Sequence, residues 1–432
     1  MRCESTLPTV IRASNSWFAS AIVVLSIGLT NASANASPRS PATNSFATPI
    51  IDVAIVGPGD AFYTVFGHTA VVVRDDQAQP LDEAKVYNFG VTKLGDPAFI
   101  YNFIMGESVY WGNRRSYGYQ RSKWTRNDRT IRRYQLLVAP EIARAIKSDL
   151  DKMVKKDSRE FVYDLFRVNC VTKIRDLIDS HLGGIMKARW TQNMDPETFR
   201  KRSEVGYSNH PLFYVAFQWV LGRKMDLKPD GYLKSGDPIA FESRLKNLET
   251  DGGRKLFGAA VFDHQRMGPK PIGNPVRWYP ISLSLIMLSA LLFVTYRRRL
   301  PVPFYGGLFI ILGLIFSAFA TALLYLHMVS QWPEIRQNLL IFVVWPTDVI
   351  LCKPGWRMLL GKTETSPFIL KYLKLHLIVS ISLLGLGFVV SELNGPLLPR
   401  LTLTAIWAML FALMRLGLGD TQKNASEIDS NP

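Results

Sequence analysis

The chain divides near Trp278 into two parts with different patterns of hydrophobic and polar residues. Before Trp278, short apolar runs alternate with charged and polar positions, as in soluble domains. After it, long uncharged runs are separated by short basic segments. Because a helix needs about 20 mostly apolar residues to cross a bilayer, the second pattern predicts a membrane domain.

We predict an all-α membrane domain of about five spans over 278–417. The third span is short and contains Pro346 and Asp348, so we expect it to be broken, tilted or partly shielded. Basic residues follow the first and third spans, which places both of these loops in the cytoplasm. The predicted spans are 278–296, 304–327, 338–352, 368–391 and 401–417, and 418–432 is a polar tail.

The N-terminus has the pattern of a signal peptide over 1–36. Arg2 and Arg12 precede a short apolar stretch, and small residues at A-x-A spacing follow, which predicts cleavage after Ala34 or Ala36. An uncleaved anchor is the alternative. Residues 37–50, rich in Ser, Pro, Ala, Asn and Thr, are predicted to form a linker, and the domain after it is exported.

The exported part combines strand and helix patterns. Ile51–Val56, Phe62–Val73 and Lys85–Gly90 are predicted strands, and a helix is predicted after Cys170. Residues 190–277 contain amphipathic stretches, such as Leu212–Leu221, and are interpreted as a helical extension. We therefore predict an α+β domain over 51–189 followed by this extension.

The excess of basic residues raises the question of nucleic-acid binding. The chain has 51 Lys and Arg but only 35 Asp and Glu, which gives a formal net charge of +16. No zinc-ligand spacing, basic zipper or RNA-binding aromatic signature accompanies this charge, so no nucleic-acid partner is expected. The densest basic stretch, Arg114–Arg133, is interleaved with Trp and Tyr. It predicts either a solvated face or a patch toward anionic lipid headgroups, and the membrane spans favour lipid.

The sequence contains no readable metal site or nucleotide loop, so no cofactor is expected.

Cysteine usage singles out one residue. Of the three cysteines, Cys3 lies in the predicted signal peptide and Cys352 in a predicted span, which leaves Cys170 alone in the exported domain. A buried apolar cysteine is the ordinary interpretation. However, Asn169 is a predicted helix N-cap, which places Cys170 in the first turn, where free N–H groups and the helix dipole favour a thiolate.

A thiolate nucleophile needs a base, and His68 is the best candidate. It follows Gly67 on a predicted strand, although a lone histidine on a strand is more often structural. The next strand offers Asn88 as an amide neighbour that would orient the imidazole. A histidine oriented from the next strand and facing a cysteine at a helix start is the papain-like arrangement.

These residues resemble those of permuted papain-like domains of the NlpC type and of the lecithin–retinol acyltransferase group. More closely, the chain resembles the Lnb family of bacterial lipoprotein N-acyltransferases. The resemblance covers most of the chain after the linker. The matching segments are Phe66-Gly-His-Thr69, Val86-Tyr-Asn-Phe-Gly90, Phe103-Ile-Met-Gly106, Tyr110-Trp111, Tyr163-Asp-Leu-Phe-Arg-Val-Asn-Cys-Val-Thr-Lys-Ile-Arg-Asp176, Leu221-Gly-Arg-Lys-Met-Asp226, Trp332-Pro-Glu334, Asn338-Leu-Leu340 and Pro346-Thr347.

The resemblance implies a multi-pass protein of the bacterial inner membrane whose permuted papain-like domain faces the periplasm. It implies transfer of a fatty acyl chain from a phospholipid, through a thioester on Cys170, to the N-terminal amine of diacylglyceryl-cysteine lipoproteins. His68 would be the base and Asn88 its orienter. The expected substrate-binding residues are Tyr63, Tyr163, Asn169, Arg167 and Arg175. A structural role is the alternative for each of them, and for the two arginines this would be a salt bridge beside the helix.

Two other functions remain open from sequence alone. A cell-wall amidase or peptidase would use the same Cys and His on peptide bonds, although one anchor suffices for such an enzyme. A non-catalytic membrane scaffold would keep Cys170 buried and inert.

Overall fold

The computed structural model describes residues 48–273, 285–290, 292, 301–362, 366–390 and 395–416. Within them, an antiparallel sheet with packed helices precedes a helical region. The predicted signal peptide, nearly all of the predicted linker, most of the first predicted span and the polar tail lie outside the described residues.

The described strands form one seven-stranded sheet of order β6-β4-β3-β2-β1-β5-β7 in which all neighbours are antiparallel. β1 and β2 are rich in Val, Ile and Ala and are buried on both faces, as central strands of a covered sheet are. The strands are β1 (Ile50–Val56), β2 (His68–Arg74), β3 (Lys85–Val91), β4 (Val109–Ser116), β5 (Ile131–Gln135), β6 (Glu160–Val162) and β7 (Val261–His264).

Helices cover both faces of this sheet. On one face, Ile146, Ile174 and Phe241 from three helices pack on the strands in one hydrophobic core. On the other face, Tyr117 and Trp124 from a single helix cover the strands. The helices of this region are α1 (Phe99–Met105), α2 (Tyr117–Arg126), α3 (Pro140–Met153), α4 (Cys170–His181), α5 (Ile185–Trp190), α6 (Phe199–Gly206), α7 (Pro211–Val220), α8 (Gly231–Lys234) and α9 (Pro238–Leu245).

The structure differs from the sequence-based expectation at two places in this region. Phe62–Phe66 forms a turn, and β2 begins only at His68. The segment predicted as a helical extension also contributes β7, which pairs with β5 at the sheet edge. Alternation of residue types along the chain does not distinguish an aromatic turn from a strand, nor does it predict pairing with a distant strand.

The basic stretch Arg114–Arg133 is not a continuous surface patch. It runs through the end of β4, all of α2 and the start of β5, and two of its arginines are buried. Arg133 forms ion pairs with Asp52 and Asp263. Part of the positive charge is therefore used inside the domain.

The described part of the C-terminal region contains four segments that are long and apolar enough to cross a membrane. These are α10 (Val302–Val329), the segment Pro333–Leu359, α13 (Pro367–Val389) and α14, which extends over Leu397–Leu416. The first predicted span is represented only by helical residues 285–290 and 292.

The second of these segments qualifies by length and composition but is broken into short pieces, as its Pro346 and Asp348 predicted. The pieces are α11 (Pro333–Arg336), two 3-10 turns (Leu339–Phe342 and Pro346–Leu351) and α12 (Cys352–Leu359). Asp348 is fully buried and accepts hydrogen bonds from the Tyr372 hydroxyl (2.7 Å) and the Trp345 N–H (2.8 Å). Neighbouring side chains thus shield the carboxylate at the break.

Candidate active site

Cys170 is the first residue of α4, and Asn169 caps this helix as predicted. The Asn169 Oδ1 accepts hydrogen bonds from the N–H groups of Val171 (2.8 Å) and Thr172 (3.0 Å). The Thr172 hydroxyl in turn accepts from the Asn169 N–H at 2.8 Å, which completes a capping box. This cap fixes the backbone on both sides of the Cys170 thiol.

His68 is the first residue of β2 and follows a glycine that the backbone requires. Gly67 has φ of +92°, and a Cβ there would lie 2.9 Å from the Val56 carbonyl oxygen of the neighbouring strand. Only glycine tolerates both the left-handed conformation and this close approach. The chain therefore enters β2 directly after this turn, and His68 pairs with Val56 of β1.

Asn88 on β3 lies beside His68, as the strand pattern predicted. The imidazole Nε2 and the Asn88 Oδ1 are 3.1 Å apart. The His68 ring also lies near the Trp124 indole of α2, with 6.2 Å between ring centroids. The imidazole therefore has a polar partner on one edge and an aromatic neighbour on α2.

Cys170 meets β2 and β3 where these strands begin to separate. The N–H of Thr69, the residue after His68, donates to the Cys170 thiol. Gly90 on β3 lies against the same side chain, since a Cβ at Gly90 would be 3.6 Å from the Cys170 Cβ. Among the described residues, no hydrogen bond joins His68 to Cys170 directly.

The thiol is not pre-ionised by its helix position, contrary to the sequence-based expectation. Burial raises the pKa of Cys170 above its ordinary value, and this effect exceeds several that lower it. The opposing groups are the N–H groups of Thr69, Val171 and Cys170 itself and the guanidinium of Arg129. Cys170 is therefore a neutral thiol in the resting protein, and the nearby N–H groups and guanidinium would stabilise its thiolate form.

Arg129 is the site residue that sequence reasoning missed. Its Nε donates to the Gly57 carbonyl at 2.8 Å and its Nη2 to the Val56 carbonyl at 3.4 Å, and the residue is 7% exposed. Burial lowers its pKa to about 10, while Cys170 and Tyr63 raise it. The sequence placed Arg129 in a surface patch, because arginine density alone does not indicate which arginine is buried.

His68 is held in its neutral form. Its pKa is lowered to about 4, chiefly by burial and also by the charges of Arg129 and Lys123, although the hydrogen bond with Asn88 raises it. A neutral imidazole is able to accept a proton, so the site rests as a thiol and a neutral base.

A cavity of about 100 Å³ opens beside Cys170. Its apolar lining is largely aromatic and includes Phe66, Phe166 and Phe199. Its charged lining comes from Arg202 and Asp237, which form an ion pair with 2.7 Å between Nε and Oδ2. The Cys170 thiol therefore lies beside a pocket that is mostly apolar and has one ion pair in its lining.

The five expected substrate-binding residues divide into two groups. Tyr63, Tyr163 and Asn169 line the cavity beside Cys170. The Asn169 amide, however, already donates to the carbonyls of Leu165 (2.8 Å) and Gly236 (3.1 Å), so its Nδ2 holds the loop.

Arg167 and Arg175 are not among the residues that line this cavity. Arg175 stacks on the Tyr232 ring (3.7 Å) and donates to the Tyr232 carbonyl at 2.5 Å. Arg167 forms an ion pair with Glu334, with 2.6 Å between Nη2 and Oε1. Both arginines therefore make contacts within the protein rather than at the cavity.

The membrane region packs directly behind residues 163–169, the segment that leads to the candidate nucleophile Cys170 and that we call the nucleophile loop. Trp332 contacts Phe166 (6.2 Å between ring centroids) and Phe103 (4.9 Å). Glu334 is 2% exposed and pairs with Arg167, three residues before Cys170. The cavity wall and the membrane region thus share one hydrophobic cluster.

Among the described residues, no group of three or more His, Cys, Asp or Glu side chains is arranged to hold a metal ion.

Residues 42–201 match the family model described as the Lnb N-terminal periplasmic domain. This part of the chain is therefore an Lnb N-terminal periplasmic domain, as the motifs around His68 and Cys170 indicated. Neither the curated proteins nor the solved structures gave a match to this chain.

Proposed function

We propose that this membrane protein with a periplasmic domain is a cysteine-dependent lipoprotein N-acyltransferase of the bacterial inner membrane. It takes a fatty acyl chain from a phospholipid and transfers it to the N-terminal amine of a diacylglyceryl-cysteine lipoprotein. The proposal includes a permuted papain-like arrangement of the sheet and α4, in which the histidine strand precedes the cysteine helix in the chain.

One observation carries the proposal: Cys170, at a capped helix N-terminus, opens into an apolar cavity whose wall packs on the membrane region. An apolar cavity suits an acyl chain, whereas a peptidoglycan strand is polar. Contact between Phe166 and Trp332 places the nucleophile loop next to the membrane-spanning part of the chain. An acyl donor in the bilayer is therefore the substrate that this location favours.

In the first step, the Cys170 sulfur attacks the ester carbonyl of the phospholipid. His68 accepts the thiol proton through Nδ1, because the Asn88 Oδ1 only accepts and so keeps the hydrogen on Nε2. Hydrogen bonds of this kind are often long before substrate is bound and shorten in the complex. The imidazolium then protonates the departing glycerol oxygen, which leaves a thioester and a lysophospholipid.

Backbone N–H groups stabilise the negative charge in this step. Those of Thr69, Cys170 and Val171 surround the sulfur, and a helix N-terminus also favours an anion. The buried guanidinium of Arg129 adds a positive charge near the thiolate.

In the second step, the free α-amine of the lipoprotein attacks the thioester carbonyl. His68 accepts the amine proton and returns it to the leaving sulfur, which restores the thiol. The products are an N-acylated lipoprotein and the starting enzyme, so no external oxidant, reductant or nucleotide is consumed.

The proposal is tested in bacteria that lack their own lipoprotein N-acyltransferase. We expect the intact chain to restore the N-terminal acyl group of lipoproteins, read by mass spectrometry of their N-terminal peptides. Cys170→Ala and His68→Ala forms, present at equal levels in the membrane, should leave the lipoproteins diacylated. Normal acylation by Cys170→Ala would exclude this mechanism, and release of cell-wall peptides by the wild-type chain alone would favour an amidase.

A further inference from the structure

Helix α7 presents apolar side chains to the outside of the protein. Leu212 is 84% exposed, and Phe213 and Ala216 are also exposed. The amide side chain of this helix, Gln218, is buried and donates to the Glu204 carboxylate at 3.1 Å. This arrangement is the reverse of a helix that faces water, where the exposed side is polar.

The two ends of α7 connect the cavity of Cys170 with the membrane spans. At its start, Phe213 stacks on Phe62 (4.6 Å between ring centroids), and Phe62 contacts Tyr63 (5.3 Å), which lines the cavity. At its end, Trp219 packs on Phe319 of α10 at 5.8 Å.

Hydrogen bonds hold this end of α7 to the membrane region. The Asn338 amide donates to the carbonyls of Trp219 (2.7 Å) and Val220 (3.0 Å). Because α10 is a membrane-spanning candidate, this end of α7 lies directly against the membrane region.

We propose that Leu212, Phe213 and Ala216, with Phe62 and Tyr63, form a lipid-facing strip that lies in the bilayer interface and guides the donor acyl chain to Cys170. The occupant is the acyl chain of a phospholipid, since the exposed face is apolar and the helix that carries it packs on a candidate span. Tyr63 closes the strip at the cavity, because it is 59% exposed and also lines the pocket. The delivery role rests on the proposed function, whereas lipid contact does not.

Lipid contact is tested by photo-crosslinking in vesicles of phosphatidylethanolamine and phosphatidylglycerol. The full-length chain with Leu212→p-benzoylphenylalanine should form lipid adducts, read by mass spectrometry, at about ten times the yield of a matched Met194 variant. Met194 is also exposed (62%) but lies outside the lipid-facing strip. Equal yields at the two positions, or adducts at Met194 alone, would overturn the proposal.

The delivery role is tested with a Leu212→Gln, Ala216→Gln double variant. We expect thioester formation on Cys170 from a long-chain phospholipid to fall about tenfold, because the variant loses apolar contact with the chain. The rate with a short, water-soluble nitrophenyl ester should stay within about twofold of wild type, which shows an intact site. Equal losses with both donors, or no loss with the phospholipid, would reject delivery by the strip.

The two readouts separate this inference from the proposed function. If lipid crosslinks at position 212 while wild-type Cys170 is never acylated by phospholipid, the proposed function fails and the lipid contact stands. If Cys170 is acylated normally and position 212 forms no lipid adduct, the lipid-facing strip fails and the function stands.

Discussion

The Nε2 of His68 lies 3.1 Å from the Oδ1 of Asn88, and this contact selects the tautomer of the candidate base. An amide oxygen only accepts hydrogen bonds, so Nε2 carries the hydrogen and Nδ1 keeps its lone pair. Asn88 reaches this position because it lies on β3 opposite Ala70, two residues along β2 from His68. The register of β2 and β3 thus leaves Nδ1 of the imidazole free of a hydrogen and able to accept a proton.

The first prediction concerns the loss of the contact between His68 and Asn88. Asn88→Ala should lower the rate of thioester formation on Cys170 about 10- to 100-fold, because the imidazole loses its preferred tautomer and orientation. The measurement is a time course of acyl-Cys170 by mass spectrometry of the intact protein. Asn113→Ala is the matched control, because Asn113 lies opposite Asn88 on β4. Equal effects of the two substitutions would contradict a role for Asn88 in orienting His68.

The second prediction concerns Arg129. Since the guanidinium lowers the pKa of Cys170, Arg129→Gln should raise it and slow the alkylation of Cys170 by iodoacetamide at neutral pH. Arg126→Gln, which removes the same charge from an exposed position on α2, should leave the alkylation profile unchanged. A profile for Arg129→Gln that overlays wild type would remove Arg129 from the site.

The third prediction is the pH dependence of thioester formation. His68, with a pKa of about 4, stays neutral through the range where an ordinary histidine becomes protonated. The rate should therefore decline on the acid side only near pH 4. An acid limb centred near pH 6.5 would show that the imidazole is not depressed as the structure indicates.

The fourth prediction follows from the same shift. The pKa of His68 is lower in the folded protein (about 4) than in the unfolded chain (about 6.5), so unfolded chains bind more protons between these values. Stability should rise with pH across this window and be lost as the pH falls through it. Unfolding temperatures in detergent should show a steeper acid loss for wild type than for His68→Gln, and parallel losses would be inconsistent with this linkage.

The fifth prediction concerns the junction between the nucleophile loop and the membrane region. Arg167→Ala leaves the carboxylate of Glu334, which is 2% exposed, without its partner. Because the Arg167 side chain is 39% exposed, solvent screening reduces the cost to about 1–2 kcal/mol of unfolding free energy. Adding Glu334→Gln should recover most of this loss.

Thermal unfolding of the Arg167 variants measures this loss and its recovery. Arg189→Ala is the control, because its partner Asp251 is exposed and the pair is worth little. A double variant less stable than Arg167→Ala would contradict the assignment of this ion pair to the junction.

The local structure around Cys170 could be predicted from the sequence, because the residues that determine it are close together in the chain. Asn169 as N-cap, Cys170 in the first turn and the apolar face of α4 all follow from residues within a few positions of one another. The neighbouring strand also brought Asn88 beside His68, since adjacent strands with a short connection pair predictably.

Features that depend on distant residues were not predictable in this way. Burial of Arg129 depends on the carbonyls of Val56 and Gly57, more than 70 positions away in the chain. The pairing of β7 with β5 likewise joins distant segments. The raised pKa of Cys170 is a consequence of burial, which the helix position alone does not reveal.

The most direct test of the account is the covalent state of Cys170 after incubation with phospholipid vesicles. We expect the wild-type chain to carry one fatty acyl group on Cys170, located by tandem mass spectrometry and released by neutral hydroxylamine. The adduct should be absent from His68→Ala, and adding a diacylglyceryl-cysteine peptide should remove it from the wild-type chain with formation of the N-acylated peptide. A Cys170 thiol that stays free while lipoproteins become N-acylated would contradict the account.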